Sequence, residues 1–217
     1  MADNLGEGGD EQLYQSVIRA ILLDDASRLE SLLRRGADAN ARVRSDGGEA
    51  EGDVLERPGS PVGVIYDPVL VMAARAGKGG CVRVLLKHGA AVDGRDAIRQ
   101  QQPLTTAILS PTLKNGDVID RLLVAGADVN DKDLHGWAAL DHVGARARAL
   151  LREVDEVRED FGDLRALWSA FEAVADMAAK LQAKGATATQ QRTGVSLREV
   201  NRHVRELDAR FGQERER

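Results

Sequence analysis

Four features of this 217-residue chain carry side chains capable of chemistry: a lone cysteine, four histidines, a run of acids and one glycine-rich string. Cys81 would act as a nucleophile only as a thiolate beside a base. None is placed to activate it, and its apolar helical position reads as that of a small buried hydrophobe. His88, His135, His142 and His203 fall in different elements and share no metal-ligand spacing. His88 stands just before Gly89 at a helix end, where the helix dipole favours a cation. Asp46, Glu49, Glu51, Asp53 and Glu56 crowd one stretch, but their spacing fits no calcium loop, and a solvated loop is the better reading. ARAGKGG at 74–80 has the glycines of a phosphate loop without the GxxxxGK[ST] spacing or a strand before it. No Ser, His and Asp set announces itself. The expectation is a non-catalytic chain with no catalytic residues, no cofactor and no metal ligands.

The elements that would have to position any site follow from composition. Acidic residues number 35 and basic 30, for a net charge of −5, which argues against a general nucleic-acid footprint. No run of 18 apolar residues is present, and the acidic, Gly-rich start MADNLGEGGDEQ lacks the features of a secretory signal. These features, with one cysteine, predict a cytoplasmic protein without membrane or nucleic-acid partners. Phe, Trp and Tyr total seven in a chain that is 43% hydrophobic, so Ala, Leu and Val must fill the core, which favours closely packed helices.

Those helices repeat. LLRRGADANA at 32–41, LLKHGAAVDG at 85–94 and LLVAGADVND at 122–131 end three similar segments. Each leucine pair faces the core between units. Ala20, Ala73 and Ala107 let neighbouring helices approach, and the glycine after each pair supplies a left-handed C-cap. In the second unit Leu70, Ala73, Ala74, Gly77, Val82, Leu85, Leu86, Gly89 and Ala90 fall in a register that resembles the ankyrin-repeat family. Gly36 to Gly89 is 53 residues and Gly89 to Gly126 is 37, so insertions must separate units of about 33. Twenty extra residues belong to the Gly-, Pro- and acid-rich stretch between the first two units, a loop insertion at 43–66. It is read as either a disordered loop or, through PVGVIY at 61–66, a segment ordering on a partner. A fourth unit, clipped, follows at 133–151 without a terminal GAD signature. Family TPLH motifs are replaced by QSVI, PVLV, QPLT and AALD at 15–18, 68–71, 102–105 and 138–141, which predicts modest stability.

From Leu150 the period becomes a heptad through Val154, Val157, Phe161, Leu164, Trp168, Phe171, Ala175 and Ala178, predicting one long helix over about 145–183. SLRE at 196–199 is a capping box opening a second helix over about 197–212. The pair would close as a hairpin capping the repeats or pair with another chain, including a homodimer through these C-terminal helices. The predicted fold is all-α: a disordered N-terminus at 1–10, an ankyrin-repeat domain at 11–151 of three repeats plus a remodelled fourth, and a helical extension at 152–217.

The resemblance implies where a partner would bind, because the family uses its hairpin fingers and the exposed face of each first helix. Carried over by position, the candidates are Asp96 and Ile98 of one finger, Asp133, Leu134, His135 and Trp137 of the next, and Arg75 and Leu109 on first helices. Trp137 is either an interface anchor or packed beneath the C-terminal helices. The resulting expectation is an adaptor that binds another protein. An inhibitor or immunity-type regulator of a partner enzyme, and a structural subunit assembling through the C-terminal coiled coil, are the alternatives.

Overall fold

A leucine pair followed three residues later by glycine predicts a helix that stops in a left-handed turn, and the computed structural model has this stop at each repeat. The structure describes residues 7–44, 66–110, 115–156, 161–188 and Arg202. The chain is mostly helical and divides into two compact units, Met1–Asp128 and Val129–Arg217.

In the first unit the helices come in pairs: α1 (Glu7–Leu22) with α2 (Ala26–Arg34), α3 (Val69–Arg75) with α4 (Gly79–Lys87), and α5 (Pro103–Leu109) with α6 (Gly116–Val124). First helices stack on first helices, α1 on α3 on α5, and second helices stack likewise, α2 on α4 on α6. Ala20, Ala73 and Ala107 are fully buried, so close approach in the first-helix row follows from the absence of larger side chains there. Leu29, Leu32, Leu85, Ile119 and Leu122 fill the second row. Leu86 departs from the expectation and is only half-buried, whereas Leu33 and Leu123, the second leucines of the other two pairs, are buried. The pairs end alike: Gly36, Gly89 and Gly126 have φ of +104°, +83° and +91°. The next N–H returns to the first leucine carbonyl in each case, at 3.1, 3.0 and 3.0 Å.

Cys81, in the first turn of α4, links the first two pairs. Its N–H donates to Asp24 Oδ1 at 3.3 Å, and Asp24 itself has φ +55°, the left-handed region that Gly77 occupies at +67° in the next pair. Asp tolerates that conformation better than most residues. Burial, and then the Asp24 carboxylate, push the Cys81 thiol up to about 12. The folded chain is therefore expected to resist iodoacetamide at pH 8 and to react once unfolded in urea. Equal labelling rates in the two states would contradict this.

The expected insertion at 43–66 is trimmed at both ends by pairing. Strands β1 (Arg42–Arg44) and β2 (Tyr66–Pro68) run antiparallel, with Arg42 opposite Pro68 and Arg44 opposite Tyr66. Arg42 Nη2 also donates to the Tyr66 carbonyl at 2.8 Å. The all-α expectation thus acquires one short antiparallel strand pair, because backbone N–H and C=O groups outside helices need hydrogen-bond partners. Residues 45–65, including most of PVGVIY, lie outside the described residues. The N-terminal boundary also moves: α1 begins at Glu7, inside the stretch 1–10 expected to be disordered, and residues 1–6 lie outside the described residues.

The second unit corrects the single long helix expected over about 145–183. Two helices, α7 (Ala139–Glu156) and α8 (Phe161–Ala183), pack on one another. α7 starts earlier than the heptad suggests because Asp141, fully buried, reaches back to accept the Ala138 N–H at 2.9 Å, half of a capping box. The buried stripe of α8 is Leu167, Ala170, Phe171, Val174, Met177, Ala178 and Leu181, while Ala175 of the expected seam is half-exposed. This is the wide apolar face of a globular helix, not the narrow seam of a coiled coil. The second expected helix, about 197–212, lies outside the described residues except for Arg202, which is helical.

The end of α8 makes the turn that closes the earlier pairs, although its Gly185, Ala186 and Thr187 do not spell the GAD signature. Gly185 has φ +83°, and the Ala186 N–H returns to the Leu181 carbonyl at 3.0 Å, the same turn as at Gly89. Asn130 Nδ2 donates to the Gly185 carbonyl at 3.2 Å and its Oδ1 accepts the Thr187 N–H at 2.8 Å. In the first unit Asn40 makes the same two bonds, to the Gly89 carbonyl at 3.2 Å and from the Ala91 N–H at 2.7 Å. Gly126 to Gly185 is 59 residues, so this helix pair is lengthened within its helices, where loop-based arithmetic does not look.

Candidate functional site

The finger that follows the second helix pair is built around carboxylates. The Asp96 N–H donates to the Gln101 carbonyl at 3.0 Å and closes a tight loop, in which Gln100 has φ +56°. Inside the loop Asp96 Oδ1 accepts the N–H groups of Ile98 at 3.0 Å and Arg99 at 2.6 Å. Asp67, the middle residue of β2, does the same from another element: its Oδ1 accepts the Ala97 N–H at 3.0 Å. Both carboxylates are buried, and both face Arg75 at the end of α3. Arg75 Nη1 lies 2.8 Å from Asp67 Oδ2, and Nη2 lies 3.7 Å from Asp96 Oδ2. The Arg75 side chain remains 40% exposed. One guanidinium thus ties the finger to the first-helix row, as planar two-sided donors do well.

This clasp shapes a groove of about 350 Å³ lined by Arg75, Asp96, Ile98, Arg99, Gln101, Thr106 and Leu109. Four of the residues expected at a partner surface, Arg75, Asp96, Ile98 and Leu109, meet here. Ile98 is 55% exposed and Leu109 is half-buried, so the groove presents two aliphatic side chains to solvent. Asp96 requires correction: a buried carboxylate whose oxygens hold two N–H groups and face Arg75 positions the finger instead of meeting a partner. Sequence reasoning missed Asp67 and Arg99. An Asp set against Pro68 and an arginine one residue past the named finger positions were the available signals.

The other four candidates lie in the second unit and divide in the same way. Asp133 is buried, and its Oδ1 accepts the N–H groups of His135 at 2.9 Å and Trp137 at 3.0 Å. Its Oδ2 lies 2.9 Å from His142 Nε2. Like Asp96 it is therefore scaffold, a correction to its expected contact role. An aspartate 37 residues on from Asp96, matching the Gly89 to Gly126 step, was the signal that both cap the same turn. Leu134, at 66% exposure, and His135 project from the finger. Trp137 is half-buried, its ring 5.2 Å from the His142 ring at 50°, so part of the indole packs on α7 in its own unit.

Cys81, the single cysteine, is fully buried, and burial followed by the Asp24 carboxylate raises its thiol pKa. Among the described residues no group of three His, Cys, Asp or Glu side chains could hold a metal ion. Among the described residues, too, no helix is long and apolar enough to cross a membrane.

No protein-family model matches the chain. A stretch of 139 residues, 64% of the chain, is 33% identical to the E3 ubiquitin-protein ligase KEG of Arabidopsis thaliana, of which it covers 8%. Over 94 residues, 42% of the chain, it is 38% identical to the human ankyrin repeat and SOCS box protein 6, covering 22% of it. The Mus musculus protein of the same name is 37% identical over 79 residues, covering 36% of this chain and 18% of that protein. The chain thus spans less than a quarter of the length of these curated relatives, and the names that carry the ankyrin repeat agree with the repeats read from its own residues.

Proposed function

We propose that this chain is a protein-interaction module of the ankyrin-repeat type, holding a partner protein on its finger and first-helix face without catalysis. The observation that carries this reading is the groove beside the 95–101 finger, clasped by Asp67, Arg75 and Asp96 and faced by exposed Ile98 and half-buried Leu109. A surface ordered before its partner arrives loses little conformational freedom on binding, which favours affinity. Exposed aliphatic residues in a preformed hollow are a common basis for protein contacts. The repeat-bearing relatives support a binding role, and no ligase activity is carried over from a protein of which this chain spans 8%.

The test uses the full chain as bait in a lysate, beside an Ile98→Asp, Leu109→Asp double variant. The expected result is one or more proteins retained by the parent and lost by the variant, with the two baits melting within a few degrees. Partners retained equally by both would place the binding surface elsewhere. Retention of enzyme activity or its loss in the captured complex separates an adaptor from the inhibitor alternative.

A further inference from the structure

We infer that the groove beside the 95–101 finger recognises a peptide segment carrying an apolar side chain next to a carboxylate. The apolar group sits between Ile98 and Leu109, and the carboxylate pairs with Arg99. This rests on the protein-binding reading above and adds the chemistry of the partner.

The charge at the groove is sorted by depth. The two acids, Asp67 and Asp96, are buried, and their oxygens face Arg75 and the N–H groups of Ala97, Ile98 and Arg99. The ionic groups that reach solvent are both guanidinium, Arg75 and Arg99. Arg75 is engaged by the two acids. Arg99 is exposed, and its side chain makes no ion pair among the described residues. Its main chain is nevertheless fixed, since its N–H is held by Asp96 Oδ1 at 2.6 Å. An arginine with an anchored backbone and an unpaired head is suited to a carboxylate, which it can bind through two parallel N–H donors. The neighbouring wall is aliphatic, and a volume of about 350 Å³ admits one or two side chains, not a folded surface. Charge and shape together therefore favour an apolar residue adjoining Asp, Glu or a chain end.

The full chain is to be titrated with a fluorescein-labelled positional-scanning hexapeptide library by fluorescence polarisation, beside Arg99→Glu and Ile98→Asp variants. Both substituted side chains are exposed, and unchanged melting checks that the fold survives. Expected is enrichment of Leu, Ile, Met or Phe beside an acid, with the best peptide losing tenfold or more in affinity to each variant. The Arg99→Glu protein should in turn prefer Lys or Arg at the acidic position, an exchange that a merely structural arginine would not produce. Enriched peptides without an acid, or acidic ones indifferent to Arg99→Glu, overturn the proposed chemistry but leave the binding face intact if Ile98→Asp still abolishes binding. No enrichment, or enrichment indifferent to both variants, overturns this proposal and the assignment of the binding face together.

Discussion

Phe171→Ala is expected to destabilise the second unit by about 3–5 kcal/mol, the range for deleting a fully buried aromatic side chain. Phe171 is completely inaccessible to solvent and lies among Leu167, Val174, Met177, Ala178 and Leu181 on the buried face of α8. Ala170 and Ala178 of the same stripe carry only methyl groups, which cannot reach into the space it would vacate. The chain's tryptophans make the effect separable. Trp137 and Trp168 both belong to the unit Val129–Arg217, so tryptophan fluorescence during urea unfolding reports this unit, whereas far-UV circular dichroism reports both. A fluorescence midpoint shift worth less than about 1 kcal/mol, no more than an average substitution costs, would mean that α8 is not a structural part of its unit. A shift seen equally by both probes would show the two units unfolding together.

Asp67→Ala should cost roughly 2 kcal/mol of stability in the first unit and loosen the groove. The carboxylate is 1% exposed and holds both the Ala97 N–H and Arg75 Nη1, so its removal leaves a finger donor without its acceptor. A hydrogen bond to a charged acceptor contributes about 1.5–3 kcal/mol, and the low half applies here because Ala97 is exposed and its freed N–H can be hydrated. Arg75 adds less than a buried cation would, because its half-exposed head can turn to water. Urea unfolding followed by circular dichroism measures the stability. Hydrogen exchange at Ala97, Ile98 and Arg99 measures the finger, and faster exchange is expected there before any global change. Asp67→Asn keeps an acceptor for Ala97 and should lose less. Equal losses from the two substitutions would assign the effect to the ion pair with Arg75 and not to the backbone cap.

Both effects bear on function, because the proposed recognition depends on Ile98 and Arg99 being held in place before a partner arrives. Asp67 and Asp96 act on the partner only through the finger they shape. That division explains why Asp96 and Asp133 resemble contact residues in sequence. An aspartate at a finger position has the same letter whether its oxygens face solvent or the N–H groups two to four residues on.

The neighbourhood of Arg75, Ile98 and Leu109 was implied only by the resemblance to the ankyrin-repeat family, whereas the local periodic features were legible in the sequence by itself: the leucine pairs, the alanines of the first-helix row and the glycines at the left-handed turns. Each depends on residue type at short, regular spacing, and that is information a linear chain carries. Tertiary structure decided the rest. It divided one apparent heptad into α7 and α8, since a 3.5-residue seam and a wide 3.6-residue face look alike until something packs against them. Asn130 recognised the turn at Gly185 through bonds spanning 55 and 57 residues, and Arg75 was joined to Asp67 and Asp96 across three separate elements. Such pairings have no fixed spacing, because the loops and helices between them can lengthen without disturbing the bond. Ile98 and Leu109 were therefore within reach of the sequence and Arg99 was not, and only the fold separated Asp67 and Asp96, which hold the finger, from the side chains left exposed beside the proposed groove.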